Sequence, residues 1–285
     1  MNKQLFAKAL LLFAAFLWGM GFLGTQQALN RGWQPFALLF VRGFISAIFL
    51  LLFSFKAKDK WYKNKELIKH SILAGVVYWA GFTLTIYGQT YSSISTTSVL
   101  TGIYVILTPF LAFFIKKHKL SLRIYIASFI AFIAVIVISY TAGSITFTLG
   151  EILLLVGAVL YSLHFLFLET LGFFQSAFAV SAIQLLVIAT CSFVMMLVTK
   201  QTIQVAGFEY ILFLALACSG LGFVAQVTGQ QYVSSSVASV IISFESVFGV
   251  LGAIIAFNEP LDWQIVIACV LMILAIYILE GKEKK

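Results

Sequence analysis

The chain has 285 residues, of which 62% are hydrophobic and only 10% charged. A soluble domain carries about 25% charged residues, so this composition excludes an ordinary globular domain and marks an integral membrane protein. The net charge of +8 would suit a nucleic-acid partner, but the placement of the basic residues argues against one.

A helix needs about 20 apolar residues to cross the hydrocarbon layer. Such runs occur ten times, over 9–29, 36–55, 71–90, 97–115, 122–140, 149–168, 177–199, 209–230, 237–256 and 263–280. Turn or charge signals separate them, among them Asn30-Arg31-Gly32, the lysine-rich stretch 56–69 and Asn258-Glu259-Pro260. Barrel strands would be about 10 residues long and alternating, so the runs read as helices. The start resembles a signal peptide, with Lys3 and Lys8 ahead of an apolar run. That run continues to about Leu29 without a small-x-small cleavage site, and it reads as the first span.

The basic residues predict the orientation. With both termini cytoplasmic, fifteen of the 18 fall inside: Lys3 and Lys8, six in the second loop, four around 116–123, and three in the tail. Arg31 and Lys200 fall outside, and Arg42 lies within the second span. The positive-inside rule therefore gives a multi-pass protein of the cell membrane with cytoplasmic termini and anionic lipid beside its inner face. Cys191, Cys218 and Cys269 all fall in apolar runs with no C-x-x-C spacing, so they read as packing residues.

The two halves repeat. An offset of 141 carries Gly88-Gln89-Thr90-Tyr91 onto Gly229-Gln230-Gln231-Tyr232, and an offset of 143 carries Trp18 onto Tyr161 and Phe22 onto Phe165. A repeat of five spans is odd, so the second copy should be inverted. The expected organisation is two five-helix repeats, 1–143 and 144–285, in an all-α bundle. Such inverted repeats characterise secondary transporters, whose site lies at the repeat interface near the midplane.

The runs Thr101-Gly102-Ile103-Tyr104-Val105-Ile106-Leu107-Thr108-Pro109, Gln226-Val227-Thr228-Gly229-Gln230 and Ser243-Phe244-Glu245-Ser246-Val247-Phe248, with Asn258-Glu259-Pro260-Leu261, resemble the drug/metabolite transporter superfamily in its EamA-type branch. Trp18-Gly19 and Arg42 fit the same resemblance, which covers essentially the whole chain. It implies ten transmembrane helices, with spans one to four and six to nine around a central cavity and spans five and ten peripheral. It also implies transport, chiefly export, of amino acids, metabolites or drug-like compounds. Two departures stand out: Lys117-His118 where the family often ends its fourth span in glutamate, and Ser246 where a proline often follows the ninth-span glutamate.

Several polar residues lie inside the spans. Glu245 costs roughly 2.5–3.5 kcal/mol to insert on translocon scales. On a helical wheel it shares a face with Ser234, Ala238, Gly249, Gly252 and Ala256, so it faces protein or a cavity. Two readings stand: it fixes packing through a bond to a neighbouring helix, or it lines the cavity, where it can exchange a proton or hold a substrate amine. Arg42 lies about six residues into its span, on the order of 9 Å by helical rise. It can snorkel, pair with carbonyls or Glu245, or bind a substrate carboxylate.

The further cavity candidates are Trp18, Tyr78, Tyr104, Tyr161, His164, Gln226 and Gln230. Trp18 and Tyr161 are repeat-related, and Tyr104 is equivalent to Glu245 by the 141 offset. Aromatic faces there can stack on aromatic or cationic solutes, or simply pack. His164 reads as a hydrogen-bonded packing residue or a proton relay. Gln226 and Gln230 can bond across helices, as can their counterparts Thr85 and Gln89. Trp18-Gly19-Met20-Gly21 and Ser219-Gly220-Leu221-Gly222 mark close packing or bends.

No G-x-x-x-x-G-K stretch and no metal-ligand cluster occurs, so no cofactor, no metal and no enzymatic activity is expected. The expected mechanism is alternating access, with a proton as the candidate coupling ion. A passive facilitator for small metabolites and a membrane-embedded lipid-modifying enzyme are the alternatives.

Overall fold

The computed structural model describes residues 3–55, 60–116, 122–138, 140–141, 144–145, 147–171 and 176–280. Helices occupy each of the ten expected spans. The first three are α1 (Lys3–Asn30), α2 (Pro35–Ser54) and α3 (Lys65–Thr90). The fourth is split into α4 (Ile94–Thr101) and α5 (Tyr104–Lys116), and the fifth is α6 (Leu122–Ile138). The sixth and seventh are α7 (Leu149–Leu171) and α8 (Ala177–Val198). The eighth runs through α9 (Phe208–Phe213), a π-helical stretch (Leu214–Leu221) and α10 (Gly222–Gln230). The ninth is split into α11 (Ser235–Ile242) and α12 (Glu245–Phe257), and the tenth is α13 (Trp263–Glu280). Eight spans are long and apolar enough to cross a bilayer, and the fifth and tenth contain shorter apolar stretches, Tyr125–Ala134 and Trp263–Ala275. The chain is an all-helical, multi-pass membrane protein.

Local chemistry sets the ends. Pro35 opens α2, where its missing N–H costs nothing. Asn64 caps α3 by accepting from Leu67 N, and Ser93 and Ser234 do the same for α4 and α11. Thr148 and Glu151 form a reciprocal capping box at the start of α7. That box was legible in the spacing Thr148-Leu149-Gly150-Glu151.

The two split spans break at corresponding places. Gly102-Ile103 interrupts the fourth and Ser243-Phe244 the ninth, 141 residues apart. Neither pair contains proline. Pro109 lies further on, inside α5. The small-residue face of α12 packs as its pattern implies: a Cβ on Gly249 would meet Phe22, and one on Gly252 would meet Leu23 and Met20. The buried part of that face spans Ala238, Glu245, Gly249 and Gly252, while its ends, Ser234 and Ala256, are exposed.

α6 packs on α13, and the two carry many lipid-facing side chains such as Phe129, Phe132, Val270 and Tyr277. Along the other side α2 packs on α8 and α3 on α7. The basic residues Lys56, Lys58, Lys117, Lys119 and the tail lysines, with the departure at Lys117-His118, lie outside the described residues.

Candidate functional site

Near mid-depth the bundle encloses a cavity of about 50 Å³, counted as space open to the centres of water-sized spheres. At roughly 10–15 Å³ per water, that is room for about three to five waters, so a metabolite would need the walls to part. Seven spans supply the walls: the first to fourth, the sixth, the eighth and the ninth. The seventh supplies none, unlike the expectation from the resemblance. It stands behind the wall instead, where Gln184 Oε1 meets His164 Nε2 at 2.6 Å.

The breaks in the fourth and ninth spans bring the two repeat-equivalent residues together. Tyr104 and Glu245 each open the half-helix after a break, and Tyr104 Oη donates to Glu245 Oε1 at 2.9 Å. Both are buried, and both line the cavity. Glu245 thus does both things the sequence left open: it bonds to a neighbouring helix and it faces the cavity. The carbonyl of Tyr104 is also held, accepting from Thr108 Oγ1 at 2.7 Å and Ser162 Oγ at 3.3 Å.

Arg42 reaches the cavity from the second span while 4% exposed. Its Nε donates to Ser219 Oγ at 2.6 Å, and its guanidinium lies 4.6 Å from the Phe82 ring centroid. Neither snorkelling nor pairing with Glu245 describes it: no ion pair joins the two among the described residues. Ser219 belongs to the π-helical stretch, which four hydrogen bonds stitch to the first two spans. Besides Arg42 to Ser219, Trp18 Nε1 donates to Cys218 O at 2.9 Å, Cys218 Sγ donates to Leu17 O at 3.1 Å, and Ser46 Oγ donates to Ala215 O at 2.7 Å. Two of the four bonds end on carbonyls of the π-helical stretch, Cys218 O and Ala215 O, and such stretches occur frequently at functional sites.

Aromatic rings line the same cavity as Arg42 and Glu245. Tyr78 is central: its ring centroid lies 5.1 Å from Tyr161, 4.7 Å from His164 and 4.7 Å from Phe223. Trp18 meets Phe223 edge-on, and Tyr104 lies 5.2 Å from Phe165. Trp18, Tyr78, Tyr104, Tyr161, His164 and Gln226 therefore share one cavity with Arg42 and Glu245. Gln230 stands apart from its lining. It donates Nε2 to Phe165 O at 3.1 Å, while its counterpart Gln89 donates to Phe22 O at 2.8 Å. Two buried wall atoms, Gln226 Oε1 and Thr101 Oγ1, have no hydrogen-bond partner among the described residues.

Thr25 and Phe82 were not singled out from the sequence, and Thr101 and Ser219 stood only within longer runs, not as candidates for the site. Phe82 lies four residues after Tyr78, and that spacing was the available signal for it. Ser219 was marked only within Ser219-Gly220-Leu221-Gly222, as close packing or a bend; its bond to Arg42 depends on the π-turn.

A membrane-embedded helical bundle with an aromatic cavity between broken helices has the architecture of a solute transporter. The EamA-like transporter family model matches residues 5–140 and again 148–280. The chain belongs to that family, and it is a membrane transporter. A curated relative from Archaeoglobus fulgidus, described as an uncharacterized transporter, is 27% identical over 287 aligned positions, covering 98% of this chain and 87% of that protein. A solved crystal structure shares the fold with a TM-score of 0.75 at 15% identity, covering 96% of each chain.

Proposed function

We propose that this transporter is a secondary exporter that moves small zwitterionic or amphipathic organic solutes, with amino acids and amine-bearing metabolites as the leading class, by alternating access. The observation that carries this reading is the presence, in one aromatic cavity, of an arginine and a carboxyl group: among the described residues the first has no ion-pair partner and the second has only a phenol as donor. Arg42 suits a substrate carboxylate, Glu245 and the free Gln226 Oε1 suit an amine, and Tyr78, Tyr161 and Trp18 suit an apolar or aromatic body. The two five-helix repeats, 1–143 and 144–285, would rock around this site in opposite orientations. The lysine distribution supports cytoplasmic termini in the cell membrane.

Glu245 is also the candidate proton carrier. Among the described residues it is the one carboxyl group at the cavity wall, and its one hydrogen-bond donor is an uncharged phenol. Substrate amine and proton would then compete for the same group, which couples their movements. No enzymatic step is needed to account for any of these residues.

The test is exchange in proteoliposomes. Vesicles loaded with an aromatic amino acid should take up labelled amino acid, and analogues lacking either the amine or the carboxylate should exchange poorly. An imposed pH gradient should drive accumulation in wild type but not in Glu245→Gln. Uptake that neither exchanges nor accumulates would identify a passive facilitator instead.

A further inference from the structure

Two carboxylates sit at opposite membrane faces, each against the start of a broken span. Ten spans put both termini on one face, so α4 starts at the face opposite the termini and α11 starts at the termini face. Glu259, just after α12, accepts from Ile94 N at 2.8 Å and Ser95 N at 3.1 Å. Glu169, near the end of α7, accepts from Ser235 N at 3.0 Å. Ile94 and Ser235 are equivalent positions under the 141 offset. Both helices already have serine caps, Ser93 and Ser234, which accept from Thr96 N and Val237 N. The carboxylates therefore satisfy leading N–H groups that the serine caps leave, those of Ile94 and Ser95 in α4 and of Ser235 in α11, where a helix dipole also favours negative charge.

The far ends of the same two half-helices are the mid-depth breaks. α4 ends before Gly102-Ile103 and then Tyr104, and α11 ends before Ser243-Phe244 and then Glu245. Eight residues rise on the order of 12 Å, so each half-helix is a short rigid rod from a membrane face to the cavity. One end of each rod is held by a carboxylate from another segment, and the other ends at a joint beside the Tyr104–Glu245 pair. Both holds are made here, and the cavity has room only for a few waters.

We propose that Glu259 and Glu169 are gate latches: release of Glu259 from α4 opens the cavity to the face opposite the termini, and release of Glu169 from α11 opens it to the termini face. This rests on the alternating-access reading above. In each state one latch stays closed, which keeps a continuous pore from forming. An ordinary helix cap would add stability without favouring either face, and this distinguishes the two roles.

The test uses the full chain with Cys191, Cys218 and Cys269 replaced by serine, reconstituted in vesicles of known orientation. A single cysteine is placed in the cavity wall at Thr25 or at Gln226, and a membrane-impermeant charged thiol reagent is added from one face at a time. In Glu259→Ala, modification from the face opposite the termini should rise roughly tenfold and from the termini face should fall, as expected for losing a charge-assisted bond. In Glu169→Ala the two changes should have the opposite signs. Should either alanine variant fail to fold, the glutamine variants retain one acceptor and should show the same signs at smaller size. Both rates rising together in either variant, or neither changing, overturns the latches. Cavity cysteines that react from only one face, in wild type with and without substrate, would overturn the alternating-access reading as well.

Discussion

Replacing Tyr104 with phenylalanine removes one hydroxyl and leaves the ring. What is lost is the 2.9 Å bond to Glu245 Oε1. A hydrogen bond to a charged group contributes about 1.5–3 kcal/mol in soluble proteins. Bonds between transmembrane helices average about 0.6 kcal/mol and reach about 1.7, because the alternatives are also bonded. The lower range should hold here, since the cavity has room for a few waters beside the carboxyl and one of them can take over the bond. The expected coupling is therefore about 1 kcal/mol, or roughly fivefold in an equilibrium constant. It can be measured by a double-mutant cycle: wild type, Tyr104→Phe, Glu245→Leu and the double variant, each unfolded reversibly in mixed micelles. Leucine is used at 245 because glutamine would still accept from the phenol. A coupling below about 0.3 kcal/mol, within ordinary additivity error, would refute the claim that this bond ties the two broken spans together.

Other outcomes follow from the same geometry. A Cβ on Gly19 would stand 2.9 Å from the backbone oxygen of Glu245, so Gly19→Ala should destabilise by about 1–3 kcal/mol, seen as a lowered melting temperature. Gln226→Leu removes a buried acceptor that has no partner, so it should leave thermal stability unchanged or raise it by about 1 kcal/mol while slowing exchange of amine-bearing solutes. Ser219→Ala takes away the Arg42 Nε partner; the half-saturating concentration for carboxylate-bearing solutes should rise, and that for amines lacking a carboxylate should stay put. Arg42→Lys should impair the same solutes more strongly, because a lysine cannot present a planar fork.

The ten spans were legible in the sequence to within a few residues at most ends, because an apolar run of about 20 residues has one stable solution in a bilayer. Part of the cavity wall was legible too. Polar edges and rings at the middle of such runs must turn inward, and Trp18, Tyr78, Tyr104, Tyr161, His164 and Gln226 do so together. The 141 offset marked Tyr104 and Glu245 as equivalent. It did not say that they touch. That contact depends on two helix breaks which no proline announces and which arise where the fourth and ninth spans cross, with Gly102 against Ser246 and Gly249 against Ser98. Arg42 had three open partners in the sequence; the π-turn of the eighth span, itself invisible to periodicity, put Ser219 in reach instead. Gln230 and Gln226 share a helix face by spacing, yet one ties α10 to Phe165 and the other faces the cavity. Composition and spacing decided which segments cross the membrane and which residues turn inward, since hydrophobic length and helical period are properties of a segment by itself. Which of those inward residues meet was decided by packing between spans, where a few ångströms of approach at glycine and serine crossings select one partner over another.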